Sequence, residues 1–138
     1  MRNTTVNRLT SDRFDDATRP LAGARLLVVE DEVLVAMEIE ELIGELGAEV
    51  VGPFGRIADA LDALRRESVT GAVLDIKLDG DTTLPLVDIL RARGFPVLFV
   101  TGGAPEAIPE SYRQLPRLSK PFDHAELADL ARSIFGRP

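Results

Sequence analysis

From Arg25 onward, short apolar runs alternate along the chain with stretches in which apolar residues recur every three or four positions. Leu26-Leu27-Val28-Val29 is a continuous apolar run, the pattern of a strand buried on both faces, and it stops at Glu30-Asp31-Glu32. Val35, Ile39, Leu42, Ile43 and Leu46 then follow at helical spacing, with Gly47 as the C-terminal stop. A second strand is predicted over Ala48 to Val51, closed by Gly52-Pro53, and a second helix over Ile57, Leu61 and Leu64, ending near Arg65-Arg66-Glu67. Ala72-Val73-Leu74 reads as the third strand, ending at Asp75. The loop Asp79-Gly80-Asp81 leads to a helix carrying Leu84, Val87, Ile89 and Leu90, stopped at Gly94. The fourth strand spans Phe95 to Val100 and ends at Thr101, and a short fifth run around Pro116 to Leu118 leads to Lys120-Pro121. In the last helix, Asp123 and Glu126 fit a capping box ahead of the buried stripe Leu127, Leu130, Ala131 and Ile134.

Strand-helix alternation of this kind predicts an α/β fold, a doubly wound five-stranded parallel sheet flanked by helices, in the flavodoxin-like arrangement. One crossover is unusual. Between Thr101 and Lys120 the prolines Pro105, Pro109 and Pro116 and the glycines Gly102 and Gly103 leave room for at most a short helix near Glu110 to Gln114, because a proline inside a helix costs about 3 kcal/mol. Residues 1–23 lack periodic apolar spacing and end at Pro20 and Gly23, so they are expected to be a disordered or loosely attached tail, with one domain over 24–138.

Composition narrows the function. The chain has 138 residues, enough for about one domain, and no apolar run of the roughly 18 residues a membrane span needs. Met1 to Thr10 hold no hydrophobic stretch that could serve as an export signal, so a cytoplasmic location is expected. With no cysteine and a single histidine, His124, thiol chemistry is excluded and a zinc site is starved of ligands, so any metal must be bound through oxygen. Net charge is −7. Residues 1–23 set Arg2, Arg8, Arg13 and Arg19 against Asp12, Asp15 and Asp16 for a net +1, which leaves −8 on the rest and argues against direct nucleic-acid binding.

In an open parallel sheet, ligands bind at the carboxyl ends of the strands. Glu30 and Asp31 follow the first strand, Asp75 the third, Thr101 the fourth, and Lys120 the fifth. Each has an ordinary alternative: Asp31 as a helix cap, Asp75 as a turn residue, Thr101 as a strand residue, Lys120 as a solvated charge. Their fall on one sheet edge is what favours a shared site. Carboxylates gathered there repel by about 4 kcal/mol per pair at roughly 4 Å and an effective dielectric of 20, a repulsion that a hard divalent cation with oxygen ligands, such as Mg2+, offsets.

The set Glu30-Asp31, Asp75, Thr101 and Lys120-Pro121 resembles that of the receiver (CheY-like) domains of response regulators, over about residues 24–136. The resemblance implies that Asp75 is the phosphoacceptor, that Glu30, Asp31, Asp75 and the backbone carbonyl of Lys77 hold Mg2+, and that Thr101 and Lys120 contact the phosphoryl oxygens. It also implies a cis peptide before Pro121. Arg117 stands where many receivers carry a Tyr or Phe that rotates on activation.

The stretch Phe95 to Gly103, with Pro109 and Tyr112, is further similar to the FATGUY-type single-domain receivers, although Val100 and Gly103 depart from that subfamily's usual residues. This implies a stand-alone switch in a two-component phosphorelay rather than an enzyme. The implied phosphodonor is a sensor histidine kinase of the HWE or HisKA2 type, or a phosphotransfer protein; the downstream protein partner is left unspecified, and a homodimer is left open. The competing readings are an unphosphorylated pseudo-receiver acting as an interaction module, and a phosphatase with an aspartate nucleophile. The latter wants a second acid two residues after the nucleophile, where this chain has Lys77.

Overall fold

The computed structural model describes residues 19–103 and 108–137. Five parallel strands form the central sheet in the order β2-β1-β3-β6-β7: β1 (Arg25–Val29), β2 (Glu49–Phe54), β3 (Gly71–Leu74), β6 (Val97–Thr101) and β7 (Arg117–Ser119). A two-stranded antiparallel ribbon, β4 (Lys77–Leu78) with β5 (Asp81–Thr82), follows β3. The helices are α1 (Val33–Glu45), α2 (Ile57–Arg66), α3 (Leu84–Ala92) and α4 (His124–Phe135). The central strands β3 and β6 are buried at every position, as their unbroken apolar runs require of a sheet covered on both sides.

Alternation along β1 divides the core. Leu27 and Val29 face Ala60, Ala63 and Leu64 of α2 and Leu86, Val87 and Leu90 of α3. Leu26 and Val28 face Ile39 and Ile43 of α1 and Leu127 and Ala131 of α4. The capping box of α4 is present in full: Asp123 accepts from the Glu126 amide and Glu126 reaches back to the Asp123 amide.

Two expectations change. Gly52-Pro53 does not close the second strand. β2 continues through it to Phe54, with Gly52 at φ 108°, a cis Gly52-Pro53 peptide and a register shift between Leu27 and Val29 of β1. A Cβ at Gly52 would lie 2.9 Å from the Val28 carbonyl oxygen and the Phe54 nitrogen, so the bulge demands glycine. Pro53 is tolerated because β2 is an edge strand.

The domain also begins before residue 24. Leu21 is fully buried against the α1–α4 face, and its amide donates to the Leu46 carbonyl at 2.8 Å. Leu21 lacks periodic neighbours, so the pattern hid it. The rest of the expected tail, residues 1–18, lies outside the described residues.

The crossover from β6 to β7 holds a three-residue 3-10 helix, Glu110–Tyr112, within the span expected for a short helix. It is tied to α3: the Tyr112 hydroxyl donates to Asp88 at 2.7 Å, and the Arg91 guanidinium sits 5.9 Å from the Tyr112 ring centre while donating to the Ser111 carbonyl. Ile108 is buried beneath. Pro105 and Ala107 lie outside the described residues.

Candidate functional site

The carboxyl ends of β1, β3, β6 and β7 converge on Asp75. The register of β1 on β3 sets Val29 beside Leu74, and the Asp75 amide donates to the Val29 carbonyl at 2.9 Å, which brings the residues after the two strands together. On the other side, Thr101 pairs with Ser119, and the Lys120 amide donates to the Thr101 carbonyl at 2.9 Å. The next peptide, Lys120-Pro121, is cis.

Lys120 is the hub. Its Nζ lies 2.9 Å from Asp75 Oδ2, 2.9 Å from Glu32 Oε1 and 2.8 Å from Glu30 Oε1. The first two contacts are hydrogen bonds; the third is close but not aligned as one, so Glu30 Oε1 is a buried carboxylate oxygen without an aligned donor. The other oxygen of Glu30 accepts from the Glu32 amide at 3.0 Å. Burial pushes the Glu30 carboxyl pKa upward, the Asp75 charge adds to this, and Lys120 together with the Glu32 amide opposes it. For Lys120, burial alone would lower the ammonium pKa. Its contacts with Glu30, Asp75 and Glu32 outweigh that and hold the pKa well above the usual lysine range. The side chain stays charged at any physiological pH.

Asp75 is nearly buried, and its two oxygens have different partners: Oδ2 accepts from Lys120 and Oδ1 from the Lys77 amide at 3.3 Å. It opens onto a cleft of about 160 Å³ that Lys77, Thr101, Gly103, Ile108 and Lys120 help to line. Thr101 is buried, and its Oγ1 accepts from the Gly103 amide at 3.2 Å. Around Gly102 and Gly103 the wall is open, since a Cβ on Gly102 would meet nothing within 4 Å and one on Gly103 only Thr101 Oγ1 at 3.8 Å.

Glu30, Asp75, Thr101 and Lys120 thus stand around this edge, with one rearrangement among the acids. The carboxylate oxygens that lie within 4.8 Å of one another belong to Glu30, Glu32 and Asp75, whereas Asp31 is exposed and accepts from the Asp79 amide at 2.9 Å. Asp31 does not cap α1: the capping position is Glu32, whose side chain makes no capping bond. Asp31 instead joins β1 to the loop that follows Asp75. Sequence reasoning missed two residues. Glu32 looked like a helix-start acid, and its contact with Lys120 spans 88 positions. Thr83, fully buried, donates to the Asp75 carbonyl at 2.7 Å and so fixes the backbone of the acceptor loop; a threonine in the polar run Asp81-Thr82-Thr83 carries no signal of this.

The chain's relatives agree with this architecture. The family model described as "Response regulator receiver domain" matches residues 26–132. The phyllosphere-induced regulator PhyR of Methylorubrum extorquens is 34% identical over 133 residues, 90% of this chain and 49% of that protein. The chain spans about half the length of the curated relatives it matches. Among solved structures, the response regulator PhyR from Brucella abortus superimposes with a TM-score of 0.74 at 32% identity, covering 94% of this chain and 54% of that one. The BeF3-activated conformation of SdrG from Pseudomonas melonis Fr1 does so with a TM-score of 0.68 at 34% identity, covering 82% and 98%. With a parallel sheet in the order β2-β1-β3-β6-β7 and a family match over most of its length, this chain belongs to the response regulator receiver domain family.

Proposed function

We propose that this receiver domain accepts a phosphoryl group on Asp75 and carries the change to a protein-binding surface, as a switch in a two-component phosphorelay rather than as a turnover enzyme. The observation that carries the reading is the contact of Lys120 Nζ with Asp75 Oδ2 at 2.9 Å, on a carboxylate that opens onto a cleft. A carboxylate there can attack the phosphorus of a phosphodonor as that atom's bond to the leaving group breaks, with the electron pair departing on the leaving group. Lys120 and Thr101 line the same cleft as Asp75, which supports their meeting the phosphoryl oxygens. The 34% identical SdrG is described in a BeF3-activated conformation, and beryllofluoride on a carboxylate stands in for an acyl phosphate.

The residues present fit a hard cation. Glu30, Glu32 and Asp75 bring carboxylate oxygens within 4.8 Å of one another, and Glu30 Oε1 lacks an aligned donor. The family match implies Glu30, Asp31, Asp75 and the Lys77 carbonyl as the residues that would hold Mg2+, and Glu30 and Asp75 are the two of these whose carboxylates lie in the cluster. When bound, the ion would offset carboxylate repulsion and the charge of the incoming phosphoryl group.

For the phosphodonor, a histidine kinase, of HWE or HisKA2 type, or a phosphotransfer protein fits the surface beside the acceptor. There α1 exposes Val33, Leu34 and Met37, an apolar patch in its first turns that begins next to Glu32. Among the described residues no helix is long and apolar enough to cross a membrane, and the net charge of −7 opposes nucleic-acid binding. The test is incubation with acetyl phosphate and Mg2+, followed by mass spectrometry. A phosphoryl group that persists on the Asp75 peptide is expected; label elsewhere, or catalytic release of phosphate, overturns the reading.

A further inference from the structure

The three carboxylates on Lys120 differ in what it costs to let the ammonium go. A lysine ammonium has three N–H groups; here Lys120 makes hydrogen bonds to Asp75 and Glu32, and a third carboxylate oxygen, of Glu30, crowds its Nζ at 2.8 Å. Transfer to Asp75 replaces a carboxylate carrying one negative charge by an acyl phosphate carrying up to two. For Lys120 to reach a phosphoryl oxygen, at least one existing contact must open. Glu30 cannot release it cheaply, because its side chain is 0% exposed and would be left charged in the interior. Asp75 is the acceptor itself, at 9% side-chain exposure. Glu32 is 62% exposed, so water replaces the ammonium as soon as the side chain swings out.

We propose that Glu32 is a positioning residue that holds Lys120 in the resting site and releases it to the phosphoryl group formed on Asp75. The inference rests on the acceptor role of Asp75 and deepens it by naming the contact that opens. In the resting site the bond to Glu32 Oε1 ties Lys120 to an exposed side chain, and the Glu32 carboxylate, which lines the cleft beside Asp75, adds negative charge that an anionic phosphodonor must approach. Both effects restrain the transfer. Glu32 therefore sets how readily the site accepts a phosphoryl group, without touching the reacting atoms.

Glu32→Gln and Glu32→Ala are compared with the wild type in single-turnover phosphorylation by acetyl phosphate, at Mg2+ concentrations shown by titration to saturate each protein. Both variants are expected to label Asp75 faster, by about threefold to tenfold, the range set by an exposed charge contact. Lys120 supplies a second readout through its 13Cε chemical shift. On addition of beryllofluoride this signal moves in the wild type as the lysine exchanges partners, and it is expected to move less in both variants, where the Glu32 contact is already absent. Equal or slower labelling of Asp75 in the variants, or an undiminished shift of Lys120, overturns the role of Glu32 while leaving Asp75 as the acceptor. A wild-type protein that takes no label on Asp75 overturns the acceptor reading instead.

Discussion

Lys120 Nζ and Asp75 Oδ2 meet at 2.9 Å across 45 residues of sequence, at the ends of two strands that are not neighbours in the sheet. β6 stands between them and supplies Thr101, so acceptor, hydroxyl and ammonium come from three successive strands. Asp75→Asn keeps size and shape but removes the nucleophilic oxygen. It is expected to abolish labelling by acetyl phosphate while changing stability by about 1 kcal/mol or less. Urea unfolding and mass spectrometry check the two halves, and native-site labelling of the Asn variant at the wild-type level refutes the assignment.

Lys120→Ala leaves Glu30 buried without its cation. At pH 7 the loss of stability is expected to be about 1–3 kcal/mol, the cost of a buried charged group left without its partner. Burial holds the Glu30 pKa above its unfolded value, so between those two values the folded state binds more protons than the unfolded chain. Protonation of Glu30 therefore stabilises the fold as pH falls through its folded pKa, and the difference between variant and wild type should shrink in that direction. A difference that grows as the solution is acidified, measured by urea unfolding across pH 4–7, contradicts the account.

Tyr112 is the single tyrosine of the chain, which makes its titration directly visible by ultraviolet absorbance. Its hydroxyl donates to Asp88, and that bond, helped by partial burial and the Asp88 charge, raises the phenol pKa above its usual 10.0. In Asp88→Asn the midpoint should fall back toward the ordinary value. If the wild type already titrates there, the tie between the 3-10 turn and α3 is not formed in solution.

The unbroken runs of β3 and β6 and the helical stripes of α1 and α4 were legible because burial on both faces of a parallel sheet leaves no polar position to confuse the pattern. Asp75, Thr101 and Lys120 were legible for a related reason, since each polar residue falls where an apolar run ends. What escaped depends on side-chain contacts between distant elements. Glu32 reaches Lys120 only after α1 has docked, and Thr83 meets the Asp75 carbonyl only because the β4–β5 ribbon folds the chain back. Pro53 misled for the opposite reason: proline ends most strands, yet an edge strand with a bulge absorbs it.

Leu21 tests the extended domain boundary. It is fully buried and contacts the core beside α1, so Leu21→Ala should cost about 2–4 kcal/mol in urea unfolding. A loss below about 0.5 kcal/mol, the level of a surface substitution, would return residues 19–23 to the tail.

The crossover after Thr101 is where a signal from Asp75 would leave the site. Thr101 Oγ1 accepts from the Gly103 amide, while the Thr101 carbonyl accepts from the Lys120 amide, so this one residue ties the loop after β6 to the loop after β7. A hydroxyl can donate to a phosphoryl oxygen on Asp75 while still accepting from Gly103, which would draw Gly102 and Gly103 inward. Among the described residues between this point and β7, Ile108, Tyr112 and Leu115 pack on the core, and the regular structure is a 3-10 helix of three residues. A segment built from turns in this way is expected to open locally with more ease than the strands beside it. Arg117, at the position where many receivers carry a rotating aromatic ring, is exposed and bonded to the Arg113 carbonyl, so ordering of this segment is the expected substitute for a ring rotation. Beryllofluoride with Mg2+ is therefore expected to slow hydrogen exchange at Gly102, Gly103 and residues 108–115 by on the order of twofold to tenfold, a modest shift in a local opening equilibrium. In Thr101→Ala, Asp75 should still be labelled, but most of that slowing should vanish. Strong, equal protection with and without beryllofluoride in the wild type shows a segment already ordered at rest, and an undiminished response in the Ala variant removes Thr101 from the path.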